Sequence, residues 1–158
     1  MDLILWRHAQ AEAGSPEMPD IERALTRKGK KQAGRMARWL KSTLPRNVTI
    51  LVSPARRTQQ TARALGMRYQ TRDELAPGKS VEEILAAAGW PGGEGAVVIV
   101  GHSPAISQIG ALLLTHNPGE WTLKKAGVWW FSNRGGDGEP QVVLETAMSP
   151  RILKLRKR

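Results

Sequence analysis

The sequence predicts an α/β fold, a sandwich in which helices flank a mainly parallel central sheet, and three observations carry it. Apolar, β-branched runs at Leu3–Arg7, Val48–Val52 and Ala96–Val100 have the length and composition of buried strands. Helical segments separate them, so strands and helices alternate, as a parallel sheet with crossover helices requires. Each run also ends on residues suited to an anion: Arg7-His8 after the first, Ser53-Pro54-Ala55-Arg56-Arg57 after the second, Gly101-His102-Ser103-Pro104 after the third.

Along the chain, Leu3–Arg7 leads into a loop through Gly14-Ser15-Pro16 and Pro19. A helix from Thr26 to Thr43 then puts Ala33, Met36, Ala37 and Leu40 on one face and Arg27, Lys31, Arg35 and Arg38 on the other. After Val48–Val52, Ser53 is a candidate cap and Pro54 suits a first helical position, which predicts a helix from Pro54 to about Leu65. An extended piece near Arg68–Thr71, a loop at Pro77-Gly78 and a helix over Ser80–Ala88 come next. Four consecutive β-branched residues mark the strand Ala96–Val100, and a helix over Pro104–Leu114 follows it. Gly127–Asn133 and Gln141–Thr146 read as two strands around a glycine-rich turn, with Trp129 and Trp130 facing opposite sides. The six tryptophans are expected in the core or at helix contacts, and His116 on the surface after a helix.

A chain of 158 residues, 41% hydrophobic and 24% charged, is expected to form one domain over residues 1–158. The basic stretch at 151–158 is expected to end as a mobile tail past Leu155. A net charge of +10, from 24 basic and 14 acidic residues, favours an acidic partner: nucleic acid, a membrane face or an acidic protein. No apolar run is long enough to span a bilayer and no leader precedes the first strand, so a cytoplasmic location is expected. With zero cysteines, disulfides, thiolate metal sites and a cysteine nucleophile are all excluded.

Ligands of open parallel sheets bind beyond the carboxyl ends of the strands, so Arg7, His8, Arg57 and His102 are candidates to surround one phosphoryl group. Four ordered blocks extend that pattern: Leu3 to Ala11 around Arg7-His8-Ala9; Arg23-Ala24-Leu25-Thr26 with Gly29 and Gln32-Ala33; Ser53 to Thr61; and Val100 to Pro104. Together they resemble the histidine phosphatase superfamily, and most closely its small SixA-type phosphohistidine phosphatases. Ala9 stands where the wider superfamily has Gly, which the small branch accepts, and Thr58 stands where Ala is usual.

The resemblance implies a three-layer, phosphoglycerate mutase-like α/β sandwich and a metal-independent phosphatase without a cofactor. It makes His8 the nucleophile that carries a transient phosphoryl group, and Arg7, Arg57 and His102 the groups that bind phosphate, with His102 an imidazolium once a dianion is bound. The spacing Ser-Pro-x-x-Arg-x-x-x-Thr selects Arg57 over Arg56, which is expected to be exposed. Arg23, Ser53, Glu74 and Ser103 belong to the periphery. Larger relatives use a carboxylic acid to protonate an alkoxide leaving group; here Glu74 is the nearest candidate, and a solvated carboxylate is the expectation. A missing acid and a short chain both favour phosphohistidine on another protein as substrate, without a membrane partner.

Three rivals fare worse. Gly101-His102-Ser103-Pro104-Ala105 imitates a hydrolase nucleophile elbow, yet no Asp or Glu lies between Ser103 and His116, the only downstream histidine. Gly78-Lys79-Ser80 resembles the end of a phosphate loop but lacks its first glycine and its strand. A non-catalytic nucleic-acid-binding module would use the basic helix and tail, without any recognised motif. The nearer alternative is a general phosphomonoesterase or mutase acting on small phosphate esters.

Overall fold

The computed structural model describes residues 1–155 of the chain. Six strands, β1 (Asp2–Arg7), β2 (Val48–Val52), β3 (Gln70–Thr71), β4 (Ala96–Gly101), β5 (Val128–Asn133) and β6 (Val142–Met148), form one sheet in the order β3-β2-β4-β1-β5-β6. β1 to β4 run parallel; β5 and β6 are antiparallel additions beside β1. Five helices cover it: α1 (Arg27–Thr43), α2 (Arg56–Arg63), α3 (Val81–Ala88), α4 (Ala105–Thr115) and α5 (Pro150–Leu155).

Strand alternation divides the core into two layers. Ile4, Trp6, Ile50, Val52, Val98 and Val100 pack against α1 and α2, with Leu153 of α5 alongside. Leu3, Leu5, Leu51, Val97 and Ile99 pack against Ile84 of α3 and Ile106 and Ile109 of α4. Both faces of the central strands are therefore covered, as a parallel sheet demands, and β4 is buried at all six positions. The fold is the expected three-layer α/β sandwich. Trp129 and Trp130 divide between the two layers as their adjacency in a strand requires.

The departures from the expected elements are few. α2 starts at Arg56, two residues after the expected Pro54; Ser53 Oγ meets Ala55 N–H and His102 and does not cap the helix. Its far end tightens into i→i+3 bonds, Leu65 N–H to Ala62 O at 3.0 Å and Gly66 N–H to Arg63 O at 3.0 Å, so Ala64 and Leu65 fall outside the α-helix. Single 3₁₀ turns occupy Asp20–Glu22 and Asp73–Leu75 within segments read as loop. Trp121 is 45% exposed, against the expectation of a core role; it lies in the irregular segment after α4 and meets Trp129 edge-on at 6.1 Å. The basic stretch begins as helix α5, and residues 156–158, where the mobile tail was expected, lie outside the described residues. Among the described residues, no helix is long and apolar enough to cross a membrane.

One contact ties the fold to the strand ends. Thr26 caps α1 by accepting from Gly29 N–H at 2.9 Å, and a Cβ on Gly29 would lie 2.0 Å from the carbonyl oxygen of Gln10. Only glycine lets α1 approach that closely. The approach permits Thr26 N–H to donate to Gln10 O at 3.0 Å and Gln10 N–H to Gln32 Oε1 at 3.0 Å, which pins the loop leaving β1.

Candidate active site

The carboxyl ends of β1, β4 and β2 are neighbours, with Arg7 paired to Gly101 and Val52 to Val100. His8, His102 and Ser53 each follow directly. Their backbones remain clamped past the strands: His8 N–H donates to Gly101 O, Ser53 N–H to Val100 O and Ala126 N–H to His8 O, all at 3.1 Å. The ring centroids of His8 and His102 stand 5.3 Å apart.

His8 Nδ1 lies 2.7 Å from the carbonyl of Ala9, so it carries the ring proton and leaves the Nε2 lone pair free. Thr61 adds a brace: its hydroxyl accepts from Ala9 N–H at 3.1 Å and donates to Arg57 O at 2.7 Å, joining the loop after His8 to α2. Ser53 plays a comparable part for His102. Its Oγ accepts from Ala55 N–H at 3.2 Å and lies 2.8 Å from His102 Nε2, the only acceptor for the hydroxyl proton among the described residues. The neutral His102 ring therefore holds its own proton on Nδ1, which is buried and has no partner.

The two arginines show the same incompleteness. Arg7 Nη1 donates to Leu123 O at 2.7 Å, which anchors the side chain and leaves Nε buried and unpaired. Arg57, 4% exposed, donates from Nη1 to Asp20 O at 2.8 Å and from Nη2 to Asp20 Oδ2 at 3.0 Å, and its Nε is likewise unpaired. Arg56 is exposed, as its position in the motif predicts. Thr58, buried at the usual alanine position, donates to Ser53 O at 3.0 Å and Ala55 O at 2.7 Å, so its hydroxyl is satisfied within the first turn of α2.

Comparison with known proteins gives this arrangement a family. The family model described as Histidine phosphatase superfamily (branch 1) matches residues 3–78. An uncharacterised protein of Mycobacterium tuberculosis, Rv1276c, is 32% identical over 112 residues, 68% of each chain. The chain belongs to the histidine phosphatase superfamily. Among solved structures, the SixA protein of Nakamurella multipartitia, provisionally described as a phosphohistidine phosphatase, is 31% identical with a TM-score of 0.74 over 94% of this chain and 95% of that one. A protein histidine phosphatase SixA solved with tungstate shares the fold at a TM-score of 0.77 and 24% identity, covering 97% and 99% of the two chains.

Within this candidate site, burial dominates the electrostatics. Burial pushes His8 down to about 4, with the cations of Arg57, Arg7 and Arg23 acting in the same direction against the hydrogen bond to Ala9. His102 is pushed down to about 3 by burial, then by Arg57 and His8. The expectation that His102 acts as an imidazolium thus applies at most to the anion-bound state; in the free site both rings are neutral, and Nδ1–H of His102 is a donor without further protonation.

The peripheral candidates separate clearly. Arg23 bonds Asp20 Oδ1 through Nε at 2.9 Å and Glu12 O through Nη1 at 3.0 Å. Ser103 keeps its buried hydroxyl unpaired and does not cap α4. It lines, with His102, Lys79 and Ile106, a cavity of about 240 Å³ on the α4 side. Glu74 is a half-exposed carboxylate paired to Arg72 at 2.8 Å, and that pairing holds it below its ordinary value, as expected of a solvated group. Asp20 escaped the sequence reading. The Asp20–Arg23 charge pair at i,i+3 was a legible signal; its reach to Arg57 was not.

Proposed function

We propose that this chain is a phosphatase that passes a phosphoryl group through His8 and that its substrate is phosphohistidine on another, cytoplasmic phosphotransfer-type protein. The observation that carries the reading is a set of three buried N–H groups without partners among the described residues, Arg7 Nε, Arg57 Nε and His102 Nδ1, near a histidine whose Nε2 is free. An unpaired buried donor costs about 1–3 kcal/mol, and one oxyanion with three equatorial oxygens answers all three donors.

The chemistry follows from those atoms. His8 Nε2 attacks phosphorus in line, the N–P bond of the substrate breaks, and the imidazole, already protonated on its other ring nitrogen, leaves neutral with the bonding pair. Water then attacks the phosphoryl group on His8, giving inorganic phosphate and free imidazole. Arg7 and Arg57 hold the oxygens with planar guanidinium edges while His102 donates from Nδ1. A phosphate ester needs a neutral carboxylic acid for its alkoxide, but Glu74 and Asp20 are both held ionised by arginines. Phosphohistidine needs none, because its ring can already be protonated and the leaving group is then neutral imidazole, far less basic than an alkoxide.

The test compares turnover of phosphohistidine protein, phosphoramidate and phosphoglycerate. Preference for the nitrogen-bound substrates, with an acid-labile phosphoryl-enzyme trapped on quenching, is the expected result; a strong preference for the ester overturns the substrate, and an untrappable intermediate overturns the role of His8.

A further inference from the structure

Beside Arg7, away from His102, the surface opens into a trough of about 360 Å³. Lys28, Lys124, Lys125 and Arg151 line it together with Arg7, and no carboxylate does. All four of those outer cations are exposed, and none forms an ion pair among the described residues.

Two glutamines on its wall add donors. Gln32 uses Oε1 to accept from Gln10 N–H at 3.0 Å, and Gln10 uses Oε1 to accept from the Thr26 hydroxyl at 2.9 Å. With both carbonyls engaged, the amide NH₂ groups are what remains to be offered.

The position of Lys28 is a second, independent sign. It sits in the first turn of α1, a 17-residue helix whose first turn carries cations and no acidic residue. The macrodipole already places partial positive charge there, so cations at that end are unfavourable without a neighbouring anion. Departures from local preference of this kind concentrate at functional sites.

We infer that the trough beside Arg7 is a docking site for an acidic segment of the phosphorylated protein, a proposal that rests on the phosphoprotein reading above. Charge complementarity selects the occupant: five cations and two amide donors face a cavity that shares Arg7 with the phosphoryl site. One partner can thus present a phosphoryl group to His8 and carboxylates to Lys28, Lys124, Lys125 and Arg151 in the same encounter. Attraction of this type acts on encounter and register more than on the chemical step.

The variant Lys28→Ala/Lys125→Ala/Arg151→Ala removes three exposed cations and spares Lys124, whose neighbour Leu123 anchors Arg7. Anisotropy titration of a short Asp/Glu-rich peptide without phosphate should show salt-sensitive binding to the wild type, absent for an Asn/Gln counterpart. The triple variant should bind about tenfold more weakly. On phosphohistidine protein its KM should rise by a similar factor with kcat unchanged, while phosphoramidate turnover stays at the wild-type level.

Equal peptide binding by variant and wild type overturns the docking site, as does an equal loss on phosphoramidate. A DNA duplex that binds more tightly than the peptide, and is weakened by the same variant, overturns the choice of occupant. Peptide binding needs no turnover, so a wild type that ignores phosphohistidine protein sinks the substrate reading separately.

Discussion

Asp20→Asn should strengthen product binding. The Asp20 carboxylate occupies Nη2 of Arg57 at 3.0 Å and Nε of Arg23 at 2.9 Å, so an incoming phosphate must compete with it for the edge that pairs Nη2 with the unpaired Nε of Arg57. Asparagine keeps the shape, and the backbone carbonyl of residue 20 still holds Arg57 Nη1, so the arginine stays placed. Because the Asp20 side chain is 60% exposed, solvent screens the competition and each ion pair is worth at most about 1 kcal/mol. Relief of about 1 kcal/mol corresponds to about a fivefold fall in the inhibition constant of inorganic phosphate or tungstate. The assay is competitive inhibition of phosphoramidate hydrolysis at two ionic strengths, with the gap between wild type and variant closing at high salt. An inhibition constant that stays put or rises refutes the competition and makes Asp20 a group that positions Arg57.

The remaining outcomes follow from the same contacts. His8→Ala should abolish turnover with the fold retained, while Arg56→Ala should leave turnover near wild type, both read from initial rates alongside circular dichroism. Ser53→Ala should free the His102 ring to change tautomer and lower kcat by about tenfold or more, with the loss visible as an altered ¹⁵N imidazole spectrum. His8 and His102, at about 4 and about 3 in the fold against an ordinary 6.5, are neutral where the unfolded chain is protonated. Their contribution to stability is therefore full above about pH 6.5 and falls as the pH drops toward 4, by about 3 kcal/mol from His8 alone, as urea midpoints across that window should show. Gly29→Ala should lower the urea midpoint strongly and loosen the His8 loop, since its Cβ would meet backbone at 2.0 Å; a wild-type midpoint contradicts the packing.

The parts of the fold and site that were legible are those whose cause is local. Val97 to Val100 declare a buried strand by side-chain shape, and the histidine that follows must then stand at a strand end. α1 is announced by the spacing of Ala33, Met36, Ala37 and Leu40, the face that the fold buries. Arg57 separates from Arg56 through the motif spacing that the resemblance supplies, and the fold buries the first and exposes the second. What sequence did not disclose depends on partners far along the chain. Ser53 reads as a cap for α2 until β4 brings His102, 49 positions away, within 2.8 Å of its hydroxyl. Asp20 reads as a loop acid until α2 brings Arg57 to it, 37 positions away, and the anchoring of Arg7 by the Leu123 carbonyl involves a group present in every residue.

These distant contacts explain how the site keeps its donors unpaired. A buried guanidinium left alone would turn toward any acceptor, but Arg7 is fixed by Leu123 and Arg57 by the backbone of Asp20, so in each the Nε stays unmet. His8 and His102 are similarly held by one nitrogen each, Nδ1 in one ring and Nε2 in the other. Each functional group is thus restrained through partners on strands and helices whose own positions are set by a fully buried parallel sheet. On the proposed reading, Arg7, His8 and His102 are held in place before a phosphoryl group arrives, and at Arg57 the Asp20 carboxylate is what has to be displaced.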